Sequence, residues 1–214
     1  MIPRISHCLT HGLRRRTIAA AVLVAALWAC GPRDPVPPNS GAAAPPAVLA
    51  APPDTVSIGF YNVENLFDLQ FDGAEYPEYR PGALGWDKQM QAKKLANIGS
   101  VIAAMRVDLL GLCEIESRVA LDALQKELRR RGVLYPHAAI GEPEGRRGTA
   151  VCLLSRFPVR GVDRFAGDSG GTVRDILRAD VDCNGAMLTV FVNHWPSKKH
   201  PESARLACAR ALRS

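Results

Sequence analysis

The stretch Val56–Asp68, VSIGFYNVENLFD, decides how the rest of this chain is read. Val56, Ile58 and Phe60 alternate with Ser57 and Gly59, the period-2 pattern of a strand with one face buried. The apolar run then gives way to Asn62, Glu64 and Asn65, followed by Leu66, Phe67 and Asp68. Strands of α/β enzymes place ligand-binding groups in this way, because the crevice lies beyond their carboxyl ends. A strand ending in a solvated turn reads equally well from this stretch alone.

Working outward, Asp87 is an N-cap candidate for a helix that carries Leu95, Ile98, Val101, Ile102 and Met105 on one face. Val107–Cys113 is then a short apolar run suited to a buried strand, ending at Glu114, Ile115 and Glu116. Strand, helix, strand is a parallel-type unit, which brings Asn62 and Glu114 to the same sheet edge. A carboxylate and an amide at adjacent strand ends form a hard, oxygen-rich site suited to Mg2+ or Mn2+. Glu116 fits better as an acid at the N-terminus of a second helix, Arg118–Arg131.

These residues carry a resemblance. Tyr61–Asp68 (YNVENLFD) and Asp108–Glu114 (DLLGLCE) are similar to the first two motifs of the endonuclease/exonuclease/phosphatase family. That superfamily includes pancreatic deoxyribonuclease, apurinic endonucleases, sphingomyelinases and inositol polyphosphate phosphatases. A third match is Asn193–Lys198, NHWPSK, at the end of an alternating strand. The resemblance implies an α/β fold: part of a four-layer sandwich of two packed, mixed or antiparallel sheets flanked by helices. It also implies metal-assisted phosphoester hydrolysis. Glu114 would bind Mg2+ or Mn2+, Asn62 would contact the phosphate or the metal's shell, and His194 would stabilise the scissile phosphate. Glu64 is a second acid of the motif without a ligand's role. Arg147 and Lys198, with Lys199 beside it, are either phosphate contacts or solvated cations. DNA, RNA, nucleotide, phospholipid head group and inositol phosphate all remain open as substrates.

Other stretches complete the fold. Tyr135–Ile140 and Thr149–Leu154 read as strands around a turn at 141–148. Ile176–Val181 and Met187–Val192 alternate about Asn184-Gly185, a hairpin signal. A helix follows at about Glu202–Leu212. Gly167–Gly171, GDSGG, resembles the nucleophile loop of trypsin-like proteases, but that chemistry needs a base upstream, and His137 lacks the flanking residues. A Gly-rich loop is the favoured reading. Cys113 and Cys152 sit in apolar strands as buried thiols, and Cys183 and Cys208 show no metal spacing.

The N-terminal part is of another kind. Residues 1–30 combine Arg14–Arg16 with the apolar run Ile18–Ala29, too short to span a bilayer comfortably. The run ends in Leu27-Trp28-Ala29-Cys30, similar to the lipobox of bacterial lipoproteins; a plain secretory signal is the alternative. Lipidation at Cys30 would tether the protein to a membrane, facing the periplasm or the cell exterior. Residues 31–53 hold eight of the 16 prolines and read as an extended Pro/Ala-rich linker. The domain then covers 54–214.

The formal charge is +6, from 27 bases and 21 acids. Removing Arg4 and Arg14–Arg16 with the signal takes away 4 bases and leaves 23 against 21, or +2. So near-neutral a domain does not argue for nucleic acid by charge. After His194 the sequence holds neither a Gly-Asp-Phe-Asn-type loop nor a Ser-Asp-His motif, the parts that complete this family's site. The expectation is therefore a truncated and impaired hydrolase, poorly stable with one sheet face uncovered. The alternative is a tethered, non-catalytic binding lipoprotein of the same fold.

Overall fold

The computed structural model describes residues 9–12, 55–73, 75–141, 148–167 and 174–213. Strands β1 (Leu9–Gly12), β2 (Thr55–Leu66), β3 (Leu109–Ile115), β4 (His137–Ile140) and β5 (Ala150–Ser155) form one sheet, ordered β1-β2-β3-β5-β4. Only the β2–β3 pair in it is parallel. A second sheet, wholly antiparallel, contains β6 (Val159–Phe165), β7 (Ile176–Cys183) and β8 (Ala186–Val192) in that order. Helices α1 (Lys88–Met105), α2 (Arg118–Arg130) and α3 (Glu202–Ala211), with a short 3-10 turn at Pro77–Tyr79, complete the described elements.

Strand β2 runs further than its apolar alternation suggests, through Asn62 and Glu64 to Leu66. Its two faces serve two cores. Val56, Ile58 and Phe60 pack with Leu109, Cys113, Val151 and Leu153 against Leu177, Ala179, Val181 and Val192 of the second sheet. Tyr61, Val63 and Leu66 join Leu110, Leu112 and Ile115 against Ile98 and Ile102 of α1 and Leu121, Leu124 and Leu128 of α2. The fold is thus mixed α/β with two packed sheets, the first carrying α1 and α2 on its other face.

The apparent polar face of β2 is covered as well. Ser57 donates its hydroxyl to Asp108 Oδ2 at 2.6 Å and its N–H to the same oxygen at 2.9 Å. A Cβ on Gly59 would lie 2.8 Å from Met105 Cε and 3.2 Å from Val107 Cγ2, so the side chains closing the α1–β3 connection occupy that space. Between the sheets, a Cβ on Gly111 would approach Phe60 Cδ2 to 3.0 Å and Val192 Cγ1 to 3.3 Å. The sheets can meet this closely there only because no side chain intervenes.

Local signals explain the ends. Asp87 caps α1, its Oδ1 accepting from Met90 N–H at 2.8 Å, and Ser117 caps α2, its Oγ accepting from Ala120 N–H at 3.0 Å. The β7–β8 hairpin turns on Asn184 and Gly185, with φ of 56° and 94°, as a two-residue turn of the primed kind requires. Strand β6 has no clear alternation, because its register shifts between Val159 and Gly161 and its residues are mostly exposed. The sequence reading passed over it for that reason. Cys113, Cys152, Cys183 and Cys208 are buried and form no disulfide among the described residues. Burial pushes the Cys113 and Cys152 thiols well above their ordinary range, which fits inert packing rather than chemistry.

Candidate functional site

The site forms where β2 and β3 lose their regular register. The parallel pairing matches Asn62 with Cys113 and next Leu66 with Ile115. Against β5, Cys113 pairs with Val151 and Ile115 with Ala150, leaving Glu114 as the extra residue of a bulge. A bulge re-aims the side chain that it carries. Glu64, Asn65 and Glu114 take φ of 55°, 66° and 68°, left-handed values that non-glycine residues adopt at a cost of about 1 to 3 kcal/mol each. Three such residues at two neighbouring strand ends mark a locally strained place held by its surroundings.

The side chains converge. Asn62 Nδ2 donates to Glu114 Oε1 at 3.1 Å. Asn62 Oδ1 accepts from Glu64 N–H at 2.8 Å, which fixes the orientation of the amide. His194, just past β8, brings Nε2 to 3.5 Å from Glu114 Oε1, and both side chains keep about a fifth of their surface open, 20% and 17%. Residues 62, 114 and 194, far apart in sequence, therefore share one point. Two come from the first sheet and one from the strand end of the second.

A cation underlies this point. Lys94 of α1 donates Nζ to the Glu64 carbonyl at 2.5 Å. Burial draws its ammonium below the usual lysine range, while Glu64 and Glu114 pull the other way. Tyr79, stacked on Phe67 with centroids 4.7 Å apart, hydrogen-bonds the Asn65 side chain, and burial raises its hydroxyl. Arg174 also lies nearby: it reaches Thr149 Oγ1 at 3.3 Å and its charge acts on Cys113, the residue before Glu114. Sequence reasoning passed over Lys94, Tyr79 and Arg174. None lies in a motif, and only the packing of α1 and of the segment before β7 brings them here.

A second polar knot stands beside the first. Asp68, buried, donates its N–H to Glu116 Oε2 at 2.6 Å and accepts at Oδ2 from Ser117 Oγ at 2.7 Å. Trp86 Nε1 donates to the Asp68 carbonyl at 3.0 Å. Glu116 is thus more than an acid near a helix start: its backbone N–H also meets the Leu66 carbonyl at 3.0 Å, joining the ends of β2 and β3. Burial pushes its carboxyl up to about 7; the Asp68 N–H works against this, while the Asp68, Asp72 and Glu75 carboxylates add to it.

Lys198 and Lys199 are exposed in the turn after His194. Arg147 and Cys30 fall outside the described residues, as do residues 1–8, the whole 31–53 linker and Ser169 of the protease-like loop. His137 sits on β4 beside Ser155 of β5. A mixed sheet with covering helices is incompatible with the all-β barrels of trypsin-like proteases, so that reading is set aside.

Solved structures with a similar arrangement include a truncated TDP2 from Caenorhabditis elegans, at 17% identity and TM-score 0.48, covering 74% of this chain and 55% of that one. An endonuclease/exonuclease/phosphatase from Beutenbergia cavernae DSM 12333 matches at 19% identity and TM-score 0.43, over 74% of this chain and 42% of that one. An endonuclease/exonuclease/phosphatase family protein from Leptotrichia buccalis C-1013-b matches at 16% identity and TM-score 0.38, over 51% of each chain. The chain spans between 42% and 55% of the length of these three. No curated protein matches. The family model for Endonuclease/Exonuclease/phosphatase covers residues 57–214, most of the chain including all three convergent positions, and the chain belongs to that family.

Proposed function

We propose that this protein is a metal-dependent phosphoester hydrolase, with Glu114, Asn62 and His194 as its reaction site. The observation that carries the reading is the single point shared by a carboxylate, an amide and an imidazole at strand ends. One carboxylate is what Mg2+ asks of a protein when phosphate and water fill its other positions. Glu114, partly open and turned out by its bulge, fits that demand and would hold Mg2+ or Mn2+. Bound there, the ion would supply Lewis-acid polarisation of a phosphoryl oxygen and offset its developing charge.

The chain's own groups do the rest. Asn62 donates Nδ2 to Glu114 and accepts at Oδ1 from Glu64 N–H, so the amide orients the carboxylate that would hold the metal. His194 Nε2 is placed to donate to a phosphate oxygen seated over Glu114, or to move a proton there. Lys94 and Arg174 add positive potential beneath an anionic substrate. Lys198 and Arg147 would serve as further phosphate contacts.

Hydrolysis of bis(p-nitrophenyl) phosphate by the full chain tests the reading. Slow turnover, in keeping with an impaired hydrolase, is expected with Mg2+ or Mn2+ and none in excess EDTA. Turnover unaffected by chelation, or absent with either metal, would overturn the assignment; the second result would favour a binding protein of the same fold. The substrate class within phosphoesters, from nucleic acid to phosphorylated lipid or inositol, is left to that assay with natural substrates.

We also infer export and a lipid anchor at Cys30, on the support of the Arg14–Arg16, Ile18–Ala29 and Leu27–Cys30 pattern. No helix among the described residues is long and apolar enough to cross a membrane. Processing before Cys30 would also take away β1 and leave β2 with an open edge. Expressed in a bacterium, the protein is expected in the membrane fraction and labelled by radioactive palmitate. Cys30→Ala is expected to lose the label; a label that persists would sink the anchor.

A further inference from the structure

Beyond the reaction site, one group of side chains has no part in the chemistry above. Asp72, Glu75 and Glu116 each bring a carboxylate oxygen within 4.8 Å of the others. Glu75 and Glu116 are 6% and 2% exposed, while Asp72 is exposed. Glu75 is held by the loop itself, its Oε1 accepting from Asp72 N–H at 2.6 Å and its Oε2 from Gly73 N–H at 3.0 Å.

Glu116 gives the independent sign of a ligand. Its Oε2 accepts from Asp68 N–H, but its Oε1 is fully buried and meets no hydrogen-bond donor among the described residues. A buried carboxylate oxygen without a partner calls for one, in the form of a proton, a water or a cation. The same carboxylate closes the acid group, and the neighbouring charges that act on it are Asp68, Asp72 and Glu75, all acids. A proton would satisfy that oxygen alone. A divalent cation would satisfy it and also offset the charge of the Asp72 and Glu75 carboxylates grouped with it.

We propose that Asp72, Glu75 and Glu116 form a structural Ca2+ site, separate from the reaction site, that pins the loop after β2 to the end of β3. Coordination chemistry favours Ca2+, which accepts carboxylates in flexible geometry where Mg2+ demands a near-regular octahedron and keeps its waters. An irregular loop suits the larger, more tolerant ion. The site also has a structural purpose. Glu116 joins β2 to β3 through Leu66, and Asp68 ties the same loop to the α2 cap at Ser117. An ion there would stiffen the wall beside the strained Glu114 bulge.

Thermal unfolding of the full chain, after stripping with EDTA, provides the test. Addition of 1 mM CaCl2 is expected to raise Tm by about 5 °C or more, the shift for an ion present at roughly a hundred times its Kd. Asp72→Asn, at an exposed position, and Glu75→Gln are each expected to abolish the rise. Glu114→Gln is expected to keep it, which separates this site from the reaction site. Should Glu75→Gln fail to fold, Asp72→Asn alone decides. No rise in the parent chain, a rise that survives Asp72→Asn, or one lost in Glu114→Gln would overturn the proposal.

Discussion

Glu114→Gln is expected to lower Mg2+-dependent phosphodiester hydrolysis by about 10³-fold. Glutamine keeps the length of the side chain and an oxygen that can accept from Asn62 Nδ2. It removes the charge that would hold the metal. The backbone penalty at φ 68° is much the same for either residue, so the fold should persist. The measurement is kcat/KM against Mg2+ concentration, with Tm alongside. A lost rate at unchanged Tm supports the role of Glu114, and the metal midpoint should move to higher concentration. An unchanged rate would remove Glu114 from the chemistry and with it the hydrolase reading.

His194→Ala should cost about 10² to 10⁴-fold in kcat, the range for losing a group that donates or shuttles a proton in the transition state. The side chain is partly open and lies at the end of β8, so its removal leaves a small gap at the surface rather than a void in the core. Little change in Tm is therefore expected. Two further readouts separate chemistry from structure. The pH profile of kcat should lose the limb that depends on imidazole, and added free imidazole should restore part of the rate. A loss of rate with an unchanged pH profile would make His194 a structural neighbour of Glu114 and nothing more.

The reading of individual residues shows where sequence is informative. Val56–Phe60 was legible as a strand from its period-2 alternation and Val107–Cys113 from its short apolar run, each ended by polar residues. The helix between them was legible from the 3.6 period of Leu95, Ile98 and Ile102 and from Asp87 as its cap. Their order implied a parallel pair, and the structure has it. The hairpin at Asn184-Gly185 was legible because so few residue pairs tolerate two positive φ values. Strand β6 was not, since an exposed strand with a register shift carries no alternation to find. Tyr61–Asp68 and Asp108–Glu114 pointed to Asn62 and Glu114 through resemblance, while the bulge that turns Glu114 outward has no signature in those letters.

Sequence by itself determined the kind of fold, the strand ends that carry polar groups, and three positions worth joining. Periodicity, capping and turn chemistry are local, so they are written in neighbouring letters. Tertiary structure alone decided that His194 meets Glu114 across two sheets, that Lys94 supports the Glu64 carbonyl, and that Asp72, Glu75 and Glu116 face one another. Those encounters depend on how the sheets and loops pack, and packing sums many weak contacts between residues distant along the chain.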